Sequence, residues 1–436
     1  MAIAALLVLG SLILLPGRGW SQEPTRHTPP DSGGPVTADS AAVIRASFER
    51  PPAKPPFDAV DAVALPFRVI FFPLRLLGRA NAKMVGFVTQ LSAPKEVSLF
   101  ERLVAAGLRP RFGSIGPRSS FAAGILVDRW SPLFLESAIS LRGSQRHEAG
   151  LDFSHAYSRL RASYLFKREA EPHFWGVGPG TGKGDFVDYL WDQQMVSGLA
   201  SASFTGLTLV AGVGYQDNRV GRGFDGKTDD IQDSPLADSL YGVNERTRYA
   251  VINASATLDK TYNRGLQRRG FYLDAAADLF RGVDGTDSDF HRFRAMLTGF
   301  LPANPRQALA LRGLAEINTS DGGRGVPFTH LATLGDVAGG RAYKDGRFRD
   351  RAVLAFMSEW RYEVWRELQE RGRVESYLLL DAGTVGERFA AMRFSEVRWS
   401  YGFGMRVVWD AQERWLVYLA FGDDGAQFNI SFSRIF

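Results

Sequence analysis

The residues that could do chemistry are few, and most lack the spacing that chemistry needs. Gly182 and Lys183 look like the end of a phosphate loop, but Val177 stands where that loop needs its first glycine and Gly184 follows the lysine in place of Ser or Thr. Six histidines, at 27, 147, 155, 173, 291 and 330, show no metal-ligand spacing. No GxSxG elbow occurs. The acidic stretches DGTDSD (284–289) and KTDDIQD (227–233) could hold a divalent cation, although solvated loops are the simpler reading. The sequence therefore predicts no cofactor, no metal and no enzyme. A hydrolase assembled in space without a motif is the least favoured alternative. One stretch concentrates charge: GGRAYKDGRFRDR (339–351) holds four arginines and a lysine and runs directly into the half-apolar RAVLAFMSEWRYEVW.

Composition narrows the setting. The 436 residues are 45% hydrophobic and 12% aromatic, and 52 basic against 47 acidic residues leave a net charge of +5, with both signs mixed along the chain. Nucleic-acid binding would need a clustered basic face, so no nucleic-acid partner is expected. With no cysteine, disulfides, thiol catalysis and thiolate metal sites are excluded. The apolar run closed by Pro16, with Gly19 and Ser21 before Gln22, reads as an export signal over 1–21; it is too short to span a bilayer as a helix. Residues 22–62, rich in Pro, Ser, Gly and Asp, read as a disordered linker. Residues 63–106 read as short helices, one of them amphipathic with Arg68, Arg75, Arg79 and Lys83. Such a helix can lie at a membrane interface or pack on its own protein.

From 107 to 436 the period changes to two. In AQFNISFSRIF, Phe428, Ile430, Phe432 and Phe436 share one face while Gln427, Asn429, Ser431 and Ser433 share the other. WSYGFGMRVVW alternates likewise, and in RAVLAFMSEWRYEVW Leu354, Phe356 and Trp360 oppose Glu359, Arg361 and Glu363. Long connections at 170–187, 216–245 and 320–350 fall on one side of the strand count, and tight ones (DRWSP, PANP, and turns near 157 and 200) on the other. That parity, with aromatic residues near strand ends, predicts an all-β fold: a transmembrane antiparallel β-barrel of about sixteen strands.

These residues also carry a resemblance. GGRAYKDGRFRDR is similar to the (V/L)RG(F/Y) loop motif and Gly-Arg-Phe-Arg-Asp continuation of the BamA/TamA superfamily of outer-membrane barrels, the bacterial surface antigen type. SEWRY (358–362) resembles its Glu-aromatic-Arg strand, LLDAGTVG (379–386) its Asp-x-Gly strand, and FWGVGPGTGKGDFVDY (174–189) its glycine-rich outer loop. The resemblance spans roughly 107–436 and implies a Gram-negative outer-membrane protein. It implies a role in inserting or translocating proteins or lipids, with unfolded outer-membrane proteins, outer-membrane lipid and lipopolysaccharide as partners. A passive channel or structural barrel is the alternative.

The resemblance further implies that Arg341 lies on a loop folded into the lumen, where it meets Glu359 and Asp381. Gly340, Tyr343, Gly346, Arg347, Phe348, Arg349 and Asp350 make up the loop motif, and Phe428, Ile430, Phe432 and Phe436 the terminal barrel signal. The alternative for Arg347, Arg349 and Arg351 is an outward role on lipopolysaccharide phosphates. The chain departs from the pattern at Ala342, where the family has Gly at a tight turn, and at Arg434, where it has an aromatic residue. Members that assemble or export proteins carry POTRA modules before the barrel, and the sequence reading leaves no room for them here.

Overall fold

The computed structural model describes residues 106–113, 115, 121–128, 131–223, 228–264, 267–366, 372–409 and 412–432. The signal, linker and helical segment expected over 1–106 lie outside the described residues apart from residue 106, and so does Phe436.

Alternating side chains suit a membrane wall only where backbone groups are paired within the sheet, and the described strands pair consecutively in one antiparallel meander. Its strands are β1 (Leu108–Gly113), β2 (Ala122–Val127), β3 (Leu133–Ser140), β4 (Gln145–His155), β5 (Ser158–Glu169), β6 (Leu190–Phe204), β7 (Leu207–Gly221) and β8 (Thr247–Asp259). They continue as β9 (Gln267–Gly282), β10 (Phe290–Asn304), β11 (Gln307–Ser320), β12 (Ala352–Arg366), β13 (Gly372–Gly386), β14 (Arg398–Trp409), β15 (Gln412–Gly422) and β16 (Gly425–Phe432). The sheet counts seventeen segments, but Tyr262–Arg264 pairs only with the start of β9, in the same register as β8, and so prolongs β8. Sixteen staves of a transmembrane antiparallel β-barrel result, as the alternation predicts. Among the described residues no helix is long and apolar enough to cross a membrane, so the crossing is by strands.

Burial separates the two faces of each stave. Leu133, Leu135, Leu151, Phe153, Val213, Leu297, Leu354, Phe356 and Tyr401 are exposed, while Glu136, Glu148, Ser163, Glu363, Asp381, Ser400 and Arg406 on the opposite faces are buried. The apolar face is the lipid-facing one, because an exposed hydrophobic surface of this extent needs hydrocarbon around it. The parity of the connections also holds: β5–β6, β7–β8 and β11–β12 are joined by long loops on one side, while β4–β5, β6–β7 and β10–β11 are joined by tight turns on the other.

One turn lies elsewhere than the sequence reading puts it. The reversal expected near 200 is at Thr205–Gly206, because Gly198 to Ser203 continue the alternation and Gly206 supplies the φ of +77° that the turn needs. The first and last strands, β1 and β16, are short, and no ladder joins them among the described residues.

The lumen is not uniformly wet. Ala332, Leu334, Ala342, Tyr343 and Phe348 of the β11–β12 loop pack on Val353, Ala355, Tyr377, Leu379, Val385, Tyr418 and Ala420 of the inner wall. The loop is held in shape by a ribbon pairing Ala332–Leu334 with Phe348–Asp350. A second apolar cluster, with Phe174, Tyr189, Ile231, Val243 and Phe328, joins the three long loops to one another.

Candidate functional site

The β11–β12 loop turns at Gly339 and Gly340, both at positive φ, and so aims Arg341 at the inner wall. There Arg341 is 3% exposed and Asp381 fully buried. The guanidinium takes Asp381 in a fork: Nε donates to Oδ2 at 2.9 Å and Nη2 to Oδ1 at 2.6 Å, and the Arg341 backbone N–H reaches Oδ2 at 3.0 Å. Nη1 donates to Glu359 Oε1 at 2.5 Å, and Nη2 also reaches the Ser358 carbonyl at 3.2 Å. Pairing β12 with β13 sets Glu359 opposite Leu379 and Asp381 opposite Met357, so the two carboxylates face one guanidinium from adjacent strands. Burial alone would lower the pKa of Arg341, but the Asp381 hydrogen bonds and the Glu359 charge outweigh it and raise the pKa.

Sequence reasoning missed how far this network runs. Glu359 also accepts from Arg361 Nε at 2.9 Å and from Arg406, so three arginines share one carboxylate. Arg406 in turn faces Glu375 at 3.4 Å, and Glu375 accepts from Arg373 at 2.6 Å. Alternation already puts Arg361 and Arg406 on the wet face. Which strands bring them together is set by register, which a single sequence does not display.

The rest of the motif is equally engaged. Arg347 donates from Nε to Asp424 Oδ2 at 2.7 Å, and from its Nη atoms to Thr181 Oγ1 and the Thr181 carbonyl, both at 2.8 Å. Arg349 donates to the Tyr189 hydroxyl at 3.0 Å and to the His173 carbonyl at 3.3 Å, and Phe348 meets Tyr343 edge-on. Both arginines are buried, which leaves them no outward face for lipopolysaccharide. Arg351 alone of the three is substantially exposed, and it pairs with Glu387 at 3.5 Å. Asp350 accepts the Arg351 N–H at 2.7 Å. In the terminal signal, Phe428 and Ile430 are 62% and 53% exposed on the lipid-facing side, and Phe432 lies in β16.

The departure at Ala342 does not spoil the turn. Ala342 is not at positive φ, and its N–H donates to Ser400 Oγ at 3.1 Å. A Cβ added at Gly422 would come within 2.8 Å of the Ala342 Cβ and 3.0 Å of the Tyr343 hydroxyl. Gly422 thus makes room for the methyl group that the family pattern lacks. Gly422→Ala is expected to cost about 1–2 kcal/mol by overpacking, read as a lower midpoint for loss of heat-modifiable mobility; adding Ala342→Gly should recover only part of it, because the new Cβ still meets the Trp399 carbonyl at 2.9 Å.

Several of the histidines and acids, with Lys183, make contacts within the described residues. Lys183 donates to the Asp424 carbonyl, and His173 pairs with buried Asp188. Asp289 accepts from the Gly282 N–H and from Arg281. No group of acids and histidines suited to a metal ion is found among the described residues. Ser137 Oγ lies 2.8 Å from His147 Nδ1 on the lipid-facing wall, but the other ring nitrogen meets the Gln145 amide instead of an acid.

His330, on the loop turn Phe328–His330, packs between Trp191, Tyr249, Phe280 and Phe290. Burial, with the Arg292 charge adding to it, pushes its pKa down to about 3. A depressed histidine pKa stabilises the docked loop fully above the free value of about 6.5 and loses that stabilisation as pH falls from there toward 3. At pH 5 the loss is about 2 kcal/mol. Limited proteolysis of the loop is expected to accelerate between pH 7 and pH 5 in the wild type, and much less in His330→Gln.

Residues 179–411 match the Omp85 superfamily domain. The structure of BamA from Haemophilus ducreyi lacking POTRA domains 1–3 superposes with a TM-score of 0.55 at 14% identity, covering 74% of this chain and 68% of that one. CdiB from Escherichia coli gives a TM-score of 0.47 at 12% identity, covering 74% of this chain and 59% of that one. At such identities the BamA likeness speaks to the fold alone, and the CdiB score is too low to carry an argument. No curated protein matches by sequence.

Proposed function

This chain belongs to the Omp85 superfamily, and from that footing we propose that its outer-membrane barrel takes part in inserting or translocating proteins, with unfolded outer-membrane proteins as clients. The observation that carries the reading is the loop fixed inside the wall by Arg341 through Asp381 and Glu359. A fork held by two carboxylates on adjacent strands ties the loop to β12 and β13. The short first and last strands, β1 and β16, are joined by no ladder among the described residues, and an edge without a ladder is the part of a sheet open to a new partner.

A passive channel is the second reading. The loop clusters that occupy the inner wall and bind the long loops together count against a wide open pore.

The test is reconstitution. Liposomes containing the purified protein should accelerate the folding of a urea-unfolded outer-membrane barrel, scored by heat-modifiable mobility, relative to liposomes lacking it. The chain has no cysteine, so one cysteine in Leu108–Gly113 and one in Gly425–Phe432 can tether the edge strands by a single disulfide. The tethered form is expected to lose the acceleration and regain it on reduction. Equal rates with and without the protein, together with a steady ohmic conductance in planar bilayers, would favour the channel.

A further inference from the structure

The lipid-facing wall is not smooth. Across β9–β14 it is indented by an apolar groove of about 500 Å³, a size typical of ligand clefts, roughly 300–1,000 Å³. Small residues hollow it: Gly313, where an added Cβ would meet nothing within 4 Å, and Ala382. Leu297, Phe356 and Trp399 border it, and Phe394 reaches it from the β13–β14 loop. Register explains the hollow, because Gly313 stands between Leu297 and Phe356, and Ala382 between Phe356 and Trp399, in one lateral row.

The loop above the groove, 387–397, repeats an Arg-Phe pair: Arg388–Phe389 and Arg393–Phe394 each open a short turn. Phe394 is 82% exposed and Phe389 41%, an arrangement unfavourable in water and favourable in a bilayer. Arg388 and Arg393 are exposed and have no ion-pair partner among the described residues. This loop is on the side of the long connections, so the groove opens toward the leaflet they face.

We propose that the groove and this loop bind one molecule of a phosphorylated, acylated lipid of the outer leaflet. An acyl chain lies along Gly313 and Ala382, against Trp399 and Phe394, and the phosphate is met by Arg388 and Arg393. The apolar lining selects a chain over a polar segment, and two exposed arginines on the loop that reaches it, without ion-pair partners among the described residues, favour an anionic head over a zwitterionic one. The inference rests on the placement of the barrel in the outer membrane and is independent of whether the barrel inserts proteins.

The test is native mass spectrometry of the full chain, released from detergent after incubation with purified lipid A, phosphatidylglycerol or phosphatidylethanolamine. One lipid A is expected to survive on the wild type. Gly313→Leu with Ala382→Leu, which fills the groove, and Arg388→Gln with Arg393→Gln should each reduce retention at least tenfold. Gly299→Leu, on the same wall outside the groove and also facing open space, should retain lipid A as the wild type does. Each variant is first checked for folding by heat-modifiable mobility.

Equal retention by wild type and both double variants would overturn the proposal. So would phosphatidylethanolamine held as well as lipid A, or a second copy of the chain in place of lipid. Phosphatidylglycerol held as well as lipid A would also overturn the assignment to a lipid of the outer leaflet. Liposome folding assays on the same variants keep the insertion reading separate, because lipid retention can fail while insertion persists, and the reverse.

Discussion

Arg341→Ala is expected to lower the stability of the folded barrel by about 3–5 kcal/mol, the cost of leaving buried carboxylates without their cation. Asp381 has no exposure and accepts three hydrogen bonds from Arg341, while Glu359 keeps Arg361 and Arg406. The penalty therefore concentrates on Asp381. The midpoint for loss of heat-modifiable mobility should fall steeply, and the released loop should raise conductance in planar bilayers. Arg341→Lys should recover little, because an ammonium cannot reproduce the two-pronged contact with Asp381 while also reaching Glu359. Arg341→Ala with Asp381→Asn should be milder than Arg341→Ala alone, since the stranded charge is gone. A single Arg341→Ala variant with unaltered midpoint and conductance would show that the loop is held by its apolar packing and not by this ion pair.

Arg347→Ala should come next in size, at roughly 2–4 kcal/mol, discounted because Asp424 is partly exposed. Arg347 joins three separate pieces of chain: its own loop, the β5–β6 loop through Thr181, and the β15–β16 turn through Asp424. The same turn is held by Lys183 at the Asp424 carbonyl, and by Asp423 pairing with Arg398 at 3.1 Å. Removing Arg347 should therefore loosen the last hairpin more than the rest of the barrel. Hydrogen exchange should rise across β15 and β16 together, with β3–β5 unchanged. Uniform loosening, or none, would argue against a clasp between the loops and the last hairpin.

Much of the architecture is legible without coordinates because a membrane wall imposes a strict period. Lipid on one side and lumen on the other force each stave to alternate, so Leu354, Phe356 and Trp360 oppose Glu359, Arg361 and Glu363 in the sequence as they do in the sheet. The same rule places the long connections on one side. It is weaker where side chains are small: Gly198 to Ser203 carry little contrast, and for that reason the turn at Thr205–Gly206 reads several residues too early. It also misjudges the inner wall of β12 and β13, where Val353, Leu379 and Val385 face inward against the returning loop instead of water.

The period, the strand parity, the family resemblance and the candidate charges of GGRAYKDGRFRDR can all be read along the chain. The partners of those charges are a matter of how the strands and loops come together. Glu359 serves three arginines because antiparallel register brings β12, β13 and β14 side by side, and a one-residue slip would turn every one of those charges toward lipid. Arg347 finds Thr181 and Asp424 across 166 and 77 residues of chain. Gly422 accommodates Ala342 across a similar span. Such pairings depend on which loops fold back together, a long-range packing outcome that local alternation does not encode.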